Sequence, residues 1–165
     1  MNNKLTRVDI KKMQEEIEYR TCTLRPQLLK EVVRTRAFGD LSENAEYHIA
    51  KKEKNANDRR IRFLQNMIKT AEIVETTEDE NVLGLFDKVK VFVEEDETEE
   101  EYTIVTTMRA EVMENRISGE SPAGRALLGH RVGDRVLIEV NPSYSYYVKI
   151  LEITKGKDDE NLTLR

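Results

Sequence analysis

The chain has 165 residues, 38% hydrophobic and 36% charged, with a net charge of −5, enough for one ordinary domain or two small ones with a modest core each. No stretch approaches the roughly 18 consecutive apolar residues of a membrane span, and Met1-Asn2-Asn3-Lys4 is not followed by the apolar core of a signal peptide, so a cytosolic protein without membrane attachment is expected. The single cysteine, Cys22, excludes an internal disulfide or a cysteine metal cluster, and His48 and His130 stand alone, as surface groups rather than ligands.

The charge is segregated. Residues 1–74 carry 16 Lys/Arg against 11 Asp/Glu, residues 75–101 carry 2 against 12, and residues 102–165 carry 9 of each. A basic first half can face nucleic acid or an acidic protein surface although the whole molecule is acidic.

In chain order, Leu5-Thr6-Arg7-Val8-Asp9-Ile10 reads as a helix start, with Thr6 as N-cap, Asp9 near the positive helix end, and Leu5 with Ile10 as a hydrophobic staple. Ile10, Met13, Ile17, Thr21, Leu24, Leu28 and Val32 recur at spacings of three and four, as in a coiled-coil seam. Pro26 interrupts this helix and predicts a kink or a loosened turn, and Gly39 supplies the left-handed conformation that ends it. A second helix is expected from about Leu41 to Ile73, with Ala45, Ile49, Lys52, Ala56, Arg60, Phe63, Met67 and Ala71 facing the first. Folding about the tip sets Val32 opposite Ile49, Leu24 opposite Ala56, Ile17 opposite Phe63 and Met13 opposite Met67. Thirty-odd residues per helix make an arm of roughly 45 Å.

Residues 76–85 are polar and acidic without periodicity and read as a linker, which makes residues 1–75 a helical hairpin and residues 86–165 a globular domain. In that domain Lys88–Val93, Tyr102–Val105, Arg135–Val140 and Tyr146–Leu151 read as strands. Glu94 to Glu101 reads as a solvated hairpin turn rather than a metal site. Ser121 to Gly129 reads as a short helix with Ser121 as cap, Pro122 at its first position and Gly129 beyond its end. The fold class is therefore α+β: a long antiparallel helical hairpin, then an antiparallel sheet with one short helix. Lys155 to Arg165 reads as a frayed tail.

At the hairpin tip stands Gly39-Asp40-Leu41-Ser42-Glu43-Asn44-Ala45-Glu46-Tyr47. Its acids have two compatible explanations. Asp40 can cap the second helix while Glu43 reaches back to it, a capping box; or the tip presents carboxylates at the end of a rigid arm, where they help hold a magnesium ion in another protein's active site.

With Ile117-Ser118, Ser121 to Gly129 and Gly133-Asp134 downstream, this motif resembles the bacterial Gre transcript-cleavage (transcription elongation) factors, over Leu5 to Ile153. The resemblance implies an N-terminal coiled coil and a C-terminal FKBP-like domain. It implies that the globular domain docks on RNA polymerase while the hairpin enters the secondary channel, where the polymerase cleaves the 3′ end of backtracked RNA. Asp40 and Glu43 would be the acids that position magnesium there, shared with the polymerase only, and Glu46 and Tyr47 would shape the tip or touch RNA. Lys51, Lys52, Lys54, Arg59, Arg60 and Arg62 resemble the family's basic patch that guides extruded RNA, with Arg60 divided between RNA and the helical seam. The chain would then be a monomeric cofactor of the polymerase and no enzyme by itself, binding no cofactor alone. Met108 and Arg109 depart from the pattern, standing where many members carry acids. The alternatives are a Gre-like inhibitor of the same channel, an FKBP-like protein-binding or prolyl isomerase module, and a coiled-coil scaffold.

Overall fold

A computed structural model describes residues 3–40 and 42–165 of the protein. The chain divides into two compact units, one holding residues 10–71 and the other residues 72–165 together with residues 4–9. Residues 4–9, expected in the hairpin, thus fold with the globular unit.

The helical part comprises α1 (Arg7–Tyr19), α2 (Arg25–Arg36) and α3 (Ala45–Lys69), and short strands β1 (Asn3–Leu5) and β2 (Ala71–Ile73) pair where the chain enters and leaves it. The 25 residues of α3 span about 37 Å. The start of α1 is the expected capping box: Thr6 N donates to Asp9 Oδ2 at 2.9 Å and Asp9 N to Thr6 Oγ1 at 3.2 Å. Between α1 and α2 lies one π-helical turn, Arg20–Leu24, closed by the Arg25 N–H reaching back to Arg20 O. Pro26 has no N–H to offer the preceding turn and its ring crowds that turn; the wider π turn absorbs both effects and the chain stays helical.

The seam of α3 is not the expected one. Ala50, Asn57, Ile61 and Leu64 are buried, whereas Ile49 is 58% and Phe63 45% exposed and Lys52 and Ala56 face solvent. The fully buried positions are displaced by one residue, a rotation of about 100°, while Arg60 and Met67 of the expected stripe stay half-buried. Both stripes contain apolar residues, so periodicity alone does not choose between them. The expected start at Leu41 lies outside the described residues. In the first arm Ile10, Met13, Ile17, Leu24, Leu28 and Val32 are at least half-buried as expected, but Thr21 is exposed and Arg20 turns inward.

Arg20 belongs to a polar layer across the seam. Its Nη1 donates to Asn57 Oδ1 at 3.0 Å, Asn57 Nδ2 returns a bond to Arg20 O at 3.2 Å, and Glu16 accepts from Arg20 Nε at 2.7 Å and from Arg60 Nε at 2.9 Å. Burial pushes the Glu16 carboxyl upward, but the hydrogen bonds and charges of Arg60 and Arg20 outweigh it and hold the group below its ordinary 4.5. A carboxyl depressed on folding contributes stability above its unfolded value that is lost as pH falls through the folded one. Glu16→Gln should therefore cost about 1 kcal/mol at pH 7 and lessen the decline of the hairpin's melting temperature as pH falls below 4.5, as followed by circular dichroism.

The globular unit holds a five-stranded sheet in the order β5-β4-β3-β7-β6, from β3 (Lys88–Val93), β4 (Thr98–Val105), β5 (Arg116–Ser118), β6 (Arg135–Asn141) and β7 (Tyr144–Thr154). All neighbours are antiparallel except β4 and β5. Val89, Val91 and Val93 alternate with outward residues along β3, and with Leu83, Ile104, Leu127, Val136, Ile138, Val148 and Ile150 they form the core. The three-residue β5, not recognised as a strand from its sequence, exists by pairing with β4 (Ile104 opposite Ile117). The acidic run is a turn only as far as Glu97. Glu99 to Glu101 continue β4, where Lys90 pairs with Glu99 at 3.4 Å and Lys88 with Glu101 at 3.2 Å on a solvent-facing ladder.

Helix α4 (Pro122–Leu127) has the expected form: Ser121 Oγ accepts from Gly124 N at 3.0 Å, and Gly129 beyond the end adopts φ +83°. The C-terminal residues are not frayed. Lys155 Nζ donates to Val82 O and pairs with Asp87, Gly156 N donates to Asp87 Oδ1 at 3.0 Å, and Arg165 N donates to Met108 O at 2.7 Å. The centre of this docking is Arg109, fully buried, with Nε 2.9 Å from Asp9 Oδ1, Nη2 3.1 Å from Asp158 Oδ1 and Nη1 donating to Asp159 O at 2.9 Å. The contacts to Asp9 and Asp158 are close but poorly aligned, which makes them ion pairs more than directed hydrogen bonds. A polar tail reads as disordered until a buried cation gives its carboxylates a partner.

Candidate functional site

The tip joins α2 to α3 through residues 37–44. Thr35, 1% exposed, anchors it: its Oγ1 donates to Glu31 O at 2.8 Å, and its carbonyl accepts from Phe38 N at 3.1 Å and from Asn44 Nδ2 at 2.6 Å. Gly39, with φ +122°, reverses the chain in a conformation other residues resist.

Asn44, not Asp40, caps α3: its Oδ1 accepts from Tyr47 N at 3.0 Å. The expected capping box of Asp40 and Glu43 does not form, because the helix starts after Asn44 and not after Asp40. Asn caps as well as Asp, so Asn44 was a readable signal overshadowed by the more familiar Asp-x-x-Glu spacing. Asn44→Ala should cost about 1 kcal/mol in a denaturant titration, while Asp40→Asn should leave the midpoint unchanged.

Asp40 is exposed, and its Oδ1 accepts from Ser42 N at 3.0 Å and from Ser42 Oγ at 2.9 Å. These two bonds, the backbone one foremost, hold its carboxyl below the usual range, so it is an anion throughout the neutral region. One oxygen is oriented by the turn, and Oδ2 has no hydrogen bond among the described residues. Glu43 is likewise exposed, and its N–H donates to Asp40 O at 3.3 Å, which closes the turn between the two acids. Glu46 is exposed in the first turn of α3; Tyr47 is half-buried, 5.6 Å from the His48 ring and 6.0 Å from Lys51 Nζ. The tip therefore offers exposed carboxylates, that of Asp40 oriented by Ser42, hard oxygen donors of the kind magnesium takes. Among the described residues no three or more His, Cys, Asp or Glu are grouped to hold a metal.

Of the basic residues, Lys51, Lys52, Arg59 and Arg62 are exposed along α3. Arg60 instead points into the seam, bound to Glu16 and lying 5.5 Å over the Phe63 ring, and Lys54 pairs with Asp58 at 3.0 Å. Phe38 was not singled out in the sequence; it is 55% exposed at the tip.

Comparison with known families gives two matches in order: the N-terminal transcription elongation factor family over residues 3–73 and the C-terminal GreA/GreB transcription elongation factor family over residues 78–155. The chain belongs to the GreA/GreB transcription elongation factor family. Transcription elongation factor GreA of Thermoanaerobacter pseudethanolicus is 44% identical over 154 residues, covering 92% of this chain and 96% of the relative. The GreA of Bacillus subtilis is 40% identical over 144 residues, 87% of this chain and 90% of its own. Among solved structures, GreA factor homolog 1 of Thermus thermophilus is 25% identical and covers 94% of this chain and all of its own, with a TM-score of 0.43, too low to bear on the arrangement. The expected assignment to the Gre factors is thus correct, and so is the α+β fold class. Among the described residues of this GreA/GreB member no helix is long and apolar enough to cross a membrane.

Proposed function

We propose that this GreA/GreB-family protein stimulates the intrinsic cleavage of backtracked RNA by RNA polymerase, with the hairpin inserted in the secondary channel and Asp40 and Glu43 delivered to the catalytic centre. The reading is carried by one observation: α3 is capped by Asn44, so neither acid is needed to start the helix. Two exposed carboxylates that no helix cap requires sit on a turn held by Thr35 and Asn44, with Ser42 bonded to one oxygen of Asp40.

Asp40 and Glu43 would hold a magnesium ion jointly with polymerase and RNA oxygens, since a pair of carboxylates falls short of a full ligand set. When bound, magnesium supplies charge stabilisation and an activated water for phosphodiester hydrolysis. Ser42 aims one Asp40 oxygen; Asn44 fixes the backbone from which Glu43 projects. Glu46 and Tyr47 shape the tip from the first turn of α3, and Lys51, Lys52, Arg59 and Arg62 attract the extruded strand by charge. The polymerase provides the rest of the site, which makes this chain a cofactor protein and not an enzyme by itself.

The test is Asp40→Asn with Glu43→Gln on stalled complexes carrying backtracked RNA. Because neither acid caps a helix, the double variant should melt with the parent while cleavage stimulation falls by about a hundredfold, as for loss of an electrostatic contributor at a reaction centre. Stimulation at the parental level would overturn the proposal.

A further inference from the structure

The ring of Phe38 is large, apolar and 55% exposed, at the last position before the Gly39 reversal. It is also oriented. The Arg34 guanidinium lies 5.0 Å from the ring centroid, and Arg34 is itself held by Glu31 through Nε to Oε2 at 2.9 Å and Nη2 to Oε1 at 2.5 Å. The Phe38 N–H is tied to Thr35 O at 3.1 Å. Exposed phenylalanines ordinarily sample several rotamers; here a braced cation on one side leaves the other ring surface open. Tyr47, across the turn, is by contrast half-buried against His48 and Lys51.

Phe38 stands two residues from Asp40, within about 7 Å between Cα positions. A nucleobase is joined to its phosphate through one sugar, so a surface beside a phosphate-directed carboxylate lies where a base would be. Stacking on an aromatic ring is tolerant of base identity, as a factor acting on any transcript requires. We infer that Phe38 is a positioning residue whose open face stacks on the 3′-terminal base of the RNA addressed by Asp40 and Glu43. This rests on the proposed function above. Phe38 touches no reacting atom; it holds the RNA end so that the scissile bond stays beside the tip acids.

The experiment compares the parent, Phe38→Leu and Phe38→Trp on stalled polymerase complexes whose backtracked RNA ends either in a normal nucleotide or in an abasic one. On normal ends Phe38→Leu should raise the concentration for half-maximal stimulation about tenfold, and Phe38→Trp should retain parental behaviour. On abasic ends the parent should fall to the level of Phe38→Leu, and the substitution should add nothing. An unchanged Phe38→Leu, or an equal loss with and without the terminal base, would overturn the inference while leaving the role of the tip acids standing. No stimulation by the parent on normal ends would overturn both.

Discussion

Arg109→Met is expected to lower the stability of the globular unit by about 3–5 kcal/mol, with a fall of roughly 15–30 °C in Tm for a unit of this size. The substitution keeps the volume and removes the cation, so Asp9, 0% exposed, and Asp158 lose their common counter-charge. Most of the cost comes from a carboxylate left buried without a counter-charge. A second substitution that neutralises it, Asp9→Asn, should therefore restore more than half of the loss, since Asn can still accept from Thr6 N. Denaturant titrations of the parent, both single variants and the double variant close the cycle. A single-variant loss under about 1 kcal/mol would show that the ion pairs do not govern this unit. The same bonds predict that the C-terminal residues become protease-sensitive in Arg109→Met, since Asp158 and Asp159 are anchored through that side chain.

Gly124→Ala should cost about 2–3 kcal/mol although alanine is the better helix former. A Cβ at this position would stand 2.1 Å from Ser118 O and 2.9 Å from the Gly119 Cα, both backbone atoms that cannot swing aside. The helix would have to lift off β5, and the Ser121 cap, which donates to Ser118 O at 2.6 Å, would go with it. The expected readout is a Tm drop of roughly 10–20 °C, with earlier-eluting or aggregated material on size exclusion. Full retention of Tm would mean that α4 shifts without cost.

Much of the architecture could be read from local patterns. The Thr6/Asp9 capping box, the Ser121-Pro122 start of α4 and the valine alternation of β3 are decided by bonds within a few residues or by a period of two, and each appears where the sequence places it. The tip is legible as a reversal because Gly39 and the flanking apolar stripes mark it. Its cap is not legible there, because Asp40 and Asn44 are both competent caps and only the position at which α3 begins distinguishes them.

What sequence alone determined is thus the element order, the hairpin, the sheet with its short helix, the family and the tip acids as candidates, all features carried by local propensity, spacing and motif. Tertiary structure decided which stripe of α3 faces inward, that Arg60 belongs to the seam, that Asp40 is free of helix capping, and that Arg109 is the buried anchor of an ordered C-terminus. These are choices between locally equivalent alternatives: two apolar stripes, two cap residues, a solvated or a buried cation. They are settled by which groups lie close after folding, since burial and ion pairing depend on partners as much as 100 positions apart, as Asp9 and Arg109 are, a separation to which no local pattern is sensitive.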